Sequence, residues 1–278
     1  MIELEGRYSK AKIMIDEIEP ECMNQLSVML SHPAFTQPVR IMPDTHAGKG
    51  SVIGFTMPLT EKVIPNVVGV DIGCGMMSFK VEKIEDALKN IDHEIKRSIP
   101  TGTNIHKECQ MSQNEWHDLF NTATLVAEQF INKYNEKFDT NYSPIKYTMD
   151  WFQAKVKAIG LDPKRASNSI GTLGGGNHFI EIGQSDKGGY WVTIHSGSRK
   201  FGENICRYHQ NIAKIKLEEK RNITLQGMIN NIMKKYQNDQ AKIQPEIDRV
   251  KKELGLNFDI NIKGMEFLEG QDAINYCF

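Results

Sequence analysis

The chain has no surplus of positive charge: Lys and Arg number 34 against 35 Asp and Glu, a formal net charge of -1. Binding of nucleic acid through bulk charge is therefore excluded, and any such site must be local. Cysteine is sparse. Cys22, Cys74, Cys109, Cys206 and Cys277 are scattered, with no Cys-x-x-Cys pair, which argues against a disulfide framework or a zinc ribbon and leaves room for a single active thiol. No run approaches the roughly 18 apolar residues of a membrane helix, and the start, Met1-Ile-Glu-Leu-Glu-Gly-Arg, carries acids where a signal peptide needs a basic run and an apolar core. A cytoplasmic protein without a membrane partner is expected. Internal repeats, low-complexity tracts and Pro/Ser linkers are missing too, so one interleaved α+β domain over residues 1–278 is preferred to two separate ones.

What is present is the composition of a compact protein, 40% hydrophobic and 25% charged over 278 residues, enough to bury a sizeable core. β-Branched runs broken by Gly and Pro predict short strands at Val39-Arg-Ile-Met-Pro, Ser51-Val-Ile-Gly-Phe-Thr, Val67-Val-Gly-Val-Asp and Met77-Ser-Phe-Lys-Val. Helical spacing predicts helices from about Ile84 to Arg97, from about Glu115 to Phe138, with Trp116, Leu119, Phe120, Ala123, Val126, Ala127, Phe130 and Ile131 on one face, and from about Met149 to Ile159. Strands return at Phe179-Ile-Glu-Ile and Tyr190-Trp-Val-Thr-Ile, and residues 203–260 read as a peripheral, solvated helical segment. The methionines around Met228 and Met233 suggest packing.

Metal-competent residues crowd into four glycine-rich loops at strand ends: Met42-Pro-Asp-Thr-His-Ala-Gly-Lys-Gly, Val68-Gly-Val-Asp-Ile-Gly-Cys-Gly-Met, Gly171-Thr-Leu-Gly-Gly-Gly-Asn-His-Phe-Ile-Glu and His195-Ser-Gly-Ser-Arg. Asp71 and Cys74, flanked by Gly69, Gly73 and Gly75, place a carboxylate and a thiol where a turning backbone can aim both at one cation. The bland alternative is a turn-capping Asp71 and a small buried Cys74. His178 and His195 sit beside predicted strands, and imidazole with thiolate and carboxylate suits Mn, Fe or Zn. Gly174-Gly175-Gly176 lets backbone N–H groups approach an anion, while Ser196, Ser198 and Arg199 offer hydroxyls and a bidentate fork for phosphate. Neither a Walker motif nor Gly-x-Gly-x-x-Gly is matched. His46 is a further ligand or base, or else a structural histidine beside a turn-capping Asp44. His32, His93, His106, His117 and His209 have surface or packing roles by default, with His106 the one to watch.

The loops, with Ser98-Ile-Pro-Thr-Gly among them, stand in the order that marks the RNA-splicing ligase (RtcB) family, which this sequence resembles. The resemblance implies an RtcB-like fold with mixed or antiparallel sheets and peripheral helices. It implies a GTP-dependent enzyme joining RNA 3′-phosphate or 2′,3′-cyclic phosphate ends to 5′-hydroxyl ends, in tRNA splicing or RNA repair. It also implies two Mn²⁺ ions, with Cys74 bridging, Asp71 and His178 completing one and His195 on the other. Asn177 and Glu181 match positions that contact the guanine nucleotide, and Arg199 one near bound phosphate. Expected partners are GTP, the RNA ends, and an activating protein factor or a complementary C-terminal chain. In the family a histidine in a His-Gly-Ala-Gly-Arg-like motif is guanylated, and GMP then passes to the RNA end. No such motif occurs among the 278 residues; the pattern is expected to stop within the domain, covering roughly its N-terminal two-thirds. Lys164-Arg-Ala-Ser-Asn-Ser-Ile is less basic than the family's corresponding loop. The alternatives are therefore an RNA-end or nucleotide-binding protein that does not ligate, and a cyclic-phosphate hydrolase needing only metal and water.

Overall fold

The computed structural model describes residues 1–84, 88–258 and 264–278. These combine helix and sheet in an α+β arrangement. The chain's contacts group into two compact units, residues 1–68 with 207–277, and residues 69–206 with Phe278. In chain order the first unit begins with β1 (Ile2–Glu5), β2 (Lys10–Ile13), α1 (Pro20–Leu30), β3 (Val39–Ile41), β4 (Phe55–Thr56) and α2 (Pro65–Val68). The second holds β5 (Gly75–Val81), α3 (Leu88–Ser98), α4 (Gln113–Phe138), α5 (Met149–Ala158), α6 (Pro163–Asn168), β6 (Phe179–Gln184) and β7 (Tyr190–Ser196). Helix α7 (Arg199–Lys235) runs from the second unit into the first, which ends with α8 (Ile243–Phe258) and α9 (Gly270–Cys277).

In the first unit the sheet order is β1-β2-β3-β4. β2 and β3 are parallel while the outer pairs are antiparallel, and a parallel pair needs a crossover, which α1 supplies. Pro20 starts that helix where a missing N–H costs nothing. Cys22, Leu26, Met29 and Leu30 then recur on one face and are fully buried against Ile13, Val39 and Ile41. The sequence reading missed β1, β2 and α1.

His32 is buried in this core, accepting at Nδ1 from the Ala34 N–H at 3.2 Å and lying edge-on to Phe35 and Phe267. Burial first, then the Lys62 ammonium, push its pKa down to about 4, against the pull of Glu266. The unfolded chain therefore binds a proton more readily than the native one. Stability is fully present above pH 6.5 and falls as pH drops from there towards 4, by on the order of 2 kcal/mol. His32→Asn, which keeps an acceptor and removes the titration, is expected to flatten this pH dependence of the urea midpoint. An unchanged slope would contradict it.

Several predicted elements are shifted. Val67-Val-Gly-Val-Asp is not a strand: Pro65 opens a single helical turn that stops at Gly69, whose φ of 103° ends it. Of the Ser51–Thr56 run only Phe55–Thr56 pairs. The helix placed at Ile84–Arg97 is seen from Leu88, its residues 85–87 lying outside the described ones. α4 starts with a capping box between Ser112 and Glu115, but Leu119 and Val126 of its expected apolar stripe are 47% and 58% exposed. Residues 203–260 are helical through α7 and α8 as far as 258, with 259 and 260 outside the described residues. Met228 and Met233 do not pack inside; they are exposed.

The second unit carries the sheet β5-β7-β6, antiparallel throughout. Its register sets the site. β5 begins at Gly75 opposite Ser196, and β6 begins at Phe179 opposite His195. The loop residues Cys74 and His178 and the strand residue His195 thus meet at one end of the sheet.

Candidate metal centre

Cys74, His178 and His195 offer three donor atoms that all lie within 4.8 Å of one another. The Cys74 Sγ is 3.3 Å from His195 Nε2. His195 Nδ1 lies 3.1 Å from the Gly75 carbonyl oxygen, a bond that requires the proton on Nδ1 and so turns the Nε2 lone pair to the thiol. His178 meets Asp71, its Nε2 being 3.2 Å from Oδ2, while its Nδ1 is buried without a hydrogen-bond partner among the described residues. The two imidazoles stand edge to face at 5.5 Å.

The Asp71 turn is closed by the Cys74 N–H donating to the Asp71 carbonyl at 3.2 Å. Burial works to raise the Asp71 carboxyl, but hydrogen bonds from Cys74 and His178, the His178 charge and the Ser198 N–H together hold it below the ordinary carboxylate value. Burial and then the neighbouring Asp71 carboxylate push the Cys74 thiol up. Two glycines are there because side chains would not fit. A Cβ on Gly197 would lie 2.8 Å from Asp71 Cγ and closer still to Oδ1, and one on Gly174 would strike the His178 ring and the Arg199 guanidinium. A thiol and two imidazoles converging in this way, with the Asp71 carboxylate against one of the rings, fit a divalent transition metal, whose ligands at about 2.0–2.3 Å are spread over roughly 4 Å.

Arg199 does not hold its fork open. Its Nη2 donates to the Gly102 carbonyl at 2.6 Å and to that of Asn104 at 3.2 Å, leaving Nε buried and without a partner among the described residues. Its backbone sits at φ 60°, a left-handed conformation that a non-glycine residue adopts under strain. The segment it grips is also tied to the glycine loop, since the Gly102 N–H donates to Gly174 O at 2.7 Å. Arg199→Lys removes the planar fork. It is expected to cost about 1–3 kcal/mol and to speed hydrogen exchange across residues 100–106; unchanged exchange there would contradict the clamp.

The remaining sequence candidates fall in several places. Asn177 is exposed and lines a cavity of about 430 Å³ with Asp71, His178, Thr103, Arg165 and Lys200; Arg165 belongs to the Lys164-Arg run noted in the sequence, whereas Lys200, a single charge, gives no signal there. Glu181 is exposed on β6 opposite Thr193, sharing the face of His195 but one pleat further along the strand. Ser196 Oγ is occupied, donating to Leu173 O at 3.0 Å, whereas Ser198 Oγ is buried and has no hydrogen-bond partner among the described residues. His46 is exposed in the first unit, in the loop after β3. His106 Nε2 is 3.3 Å from Gly171 O, a structural contact. His93 and His117 are exposed, and His209 is buried against Tyr208 and Tyr276.

A thiol, two imidazoles and a carboxylate gathered at one end of an antiparallel sheet define a metal-competent centre beside a partly basic cavity. Residues 25–241 match the family model described as tRNA-splicing ligase RtcB, and the chain belongs to that family. It is 30% identical over 206 residues to the RNA-splicing ligase RtcB of Escherichia coli K12, covering 73% of this chain and 46% of that protein. The tRNA-splicing ligases RtcB of Archaeoglobus fulgidus and Nanoarchaeum equitans are 26% and 27% identical over 72% of this chain and 45% and 46% of their own lengths. The chain thus spans less than half the length of these relatives. No helix among the described residues is long and apolar enough to cross a membrane.

Proposed function

We propose that this chain carries the metal centre of a manganese- and GTP-dependent RNA ligase, joining 3′-phosphate or 2′,3′-cyclic phosphate ends to 5′-hydroxyl ends in the cytoplasm, in tRNA splicing or RNA repair. The observation that carries the reading is the convergence of Cys74, His178 and His195, with Asp71 against His178, in a chain of this family. Cys74 would supply the bridging thiolate, Asp71 and His178 one ion's remaining donors, and His195 a donor to the other. Divalent cations held there would stabilise charge on the phosphoryl group in transfer and activate the attacking group. The chain's own part is preorganisation: Gly75 O fixes the His195 tautomer, Asp71 orients the His178 ring, and Arg199 clamps the loop in front of them.

The guanine nucleotide is assigned to the cavity lined by Asn177, with Arg165 the cation for its phosphates, since the Lys200 ammonium is paired with Glu203 at 2.5 Å. Ser198 Oγ and Arg199 Nε, both buried and without a hydrogen-bond partner among the described residues, would meet an RNA phosphate only once the loop around them opens. Glu181 would reach the nucleotide only across one pleat of β6.

A second reading is favoured by one fact: no His-Gly-Ala-Gly-Arg-like sequence occurs among the 278 residues. It confines the chain to opening a cyclic phosphate, or to binding RNA ends unchanged. Incubation with Mn²⁺, labelled GTP and an RNA pair bearing 2′,3′-cyclic phosphate and 5′-hydroxyl ends separates the readings. Manganese-dependent sealed RNA supports ligation, opened phosphate supports hydrolysis, and unchanged bound RNA supports binding alone. No RNA binding and no product would remove all three.

A further inference from the structure

Residues 100–107 of the second unit run beside the glycine loop as a strap tied at both ends. At its start the Leu173 N–H donates to Pro100 O at 3.0 Å. At its end the buried Asn168 grips it twice, its carbonyl accepting from the His106 N–H at 3.1 Å and its Nδ2 donating to Lys107 O at 2.8 Å. Between these ties residues 101–104 are exposed. They are held to the unit by the Gly102 N–H on Gly174 O and by Arg199 Nη2, which carries the carbonyls of both Gly102 and Asn104. Gly102, Thr103 and Ile105 of this span line the same cavity as Asp71 and His178.

The closed strap gives a cation only neutral acceptors, and hydrogen bonds to an ionised phosphate are roughly twice as strong. It also shuts Nε away, buried and without a partner among the described residues. A phosphate that takes the edge of the guanidinium through Nε and Nη2 needs the nitrogen that now holds Gly102 and Asn104. Phosphate and strap therefore compete for Arg199. We propose that residues 101–105 are a flap latched by Arg199, and that the terminal phosphate of an RNA 3′ end opens it by taking the guanidinium. This rests on the reading of the cavity as a site of phosphoryl transfer.

Two backbone features suit a flap. Arg199 sits at φ 60°, and strain of that kind in a non-glycine residue clusters at switch regions. Gly102 sits at φ 63° with nothing within 4 Å of where a Cβ would stand, so closure demands a left-handed residue there for conformational reasons alone. Competition makes a reciprocal demand on affinity, because phosphate binding is weakened by the share of chains whose flap is closed. Opening the flap without touching Arg199 must tighten it. Gly102→Ala does this, since the left-handed conformation disfavours alanine about five- to thirtyfold and the open flap does not require it.

The test is hydrogen exchange read by mass spectrometry on the full 278-residue chain with Mn²⁺, alone or saturated with a 3′-phosphorylated oligoribonucleotide, the same RNA ending in a 3′-hydroxyl, or GTP. The 3′-phosphate is expected to speed exchange across 101–105 at least about tenfold, where a ligand resting on a fixed wall would slow it. The 3′-hydroxyl RNA and GTP are expected to give no such acceleration. Gly102→Ala is expected to exchange faster there without RNA, and to bind the 3′-phosphorylated RNA about fivefold or more tighter by fluorescence anisotropy. Bound 3′-phosphorylated RNA with exchange slowed or unchanged overturns the flap and leaves the phosphoryl-transfer reading standing. Failure to bind either RNA removes that reading and the flap with it, and acceleration by GTP alone overturns the assignment to an RNA end. A Gly102→Ala chain that opens yet binds the phosphate no tighter contradicts the competition; if that variant does not fold, exchange in the unaltered chain decides.

Discussion

Cys74→Ala is expected to lower manganese affinity more than about a hundredfold, beyond the 10–100-fold typical of groups that only support a ligand. Cys74 is the one thiol in the cluster and the donor nearest His195, at 3.3 Å from Nε2. Removing it leaves two imidazoles and a carboxylate that do not face a common point through any other side chain of the turn. Because Cys74 is exposed, its truncation leaves no cavity, and stability should hardly change. Metal content after equilibrium dialysis, with circular dichroism on the same sample, checks both statements. Unchanged metal stoichiometry would remove Cys74 from the centre.

Gly197→Ala is expected to be damaging although it adds a single methyl. The backbone at Gly197 is outside the left-handed region, so alanine is allowed by conformation, and only the new Cβ objects. It would fall against the Asp71 carboxylate, 2.8 Å from Cγ. Asp71 is held by Cys74, His178 and the Ser198 N–H, so it cannot yield without breaking those bonds. A loss of about 2–4 kcal/mol follows, and manganese affinity should fall with it. Combining Gly197→Ala with Asp71→Ala separates the two effects. The double variant should recover most of the stability and none of the metal affinity. If Gly197→Ala alone melts like the parent chain, the packing of Asp71 on Gly197 is refuted.

The sequence revealed the strands and helices whose period is long and regular. β5, β6, β7, α4 and α5 fall within a few residues of their expected bounds, because alternation or helical spacing runs uninterrupted there. It misled at Val67-Val, where β-branched composition speaks for a strand and only Pro65 and Gly69 betray a helical turn. The crossing between the two units at Cys206 and Arg207 lies inside α7, so no linker composition could mark it.

The four donors of the candidate centre were legible as types, because carboxylate, thiol and imidazole beside glycine at strand ends is a rare juxtaposition. Their meeting depends on the order β5-β7-β6 and its register, which no local pattern encodes. The same holds for Arg199. Its residue type suggests a phosphate fork, but the carbonyls of Gly102 and Asn104, nearly a hundred residues away, occupy its Nη2. Gly174 suggests an anion-binding loop and Gly197 is one residue of a glycine-rich motif, whereas their constraint in the fold is close approach to His178 and Asp71.

The most direct measurement is anomalous diffraction at the manganese edge from crystals of this chain soaked in MnCl₂. A difference peak within bonding distance of Cys74 Sγ, flanked by His178 or His195, is the expected result. A well-ordered Cys74–His195 pair with no peak beside it at saturating manganese, or a peak only elsewhere, would contradict a metal centre built from these residues.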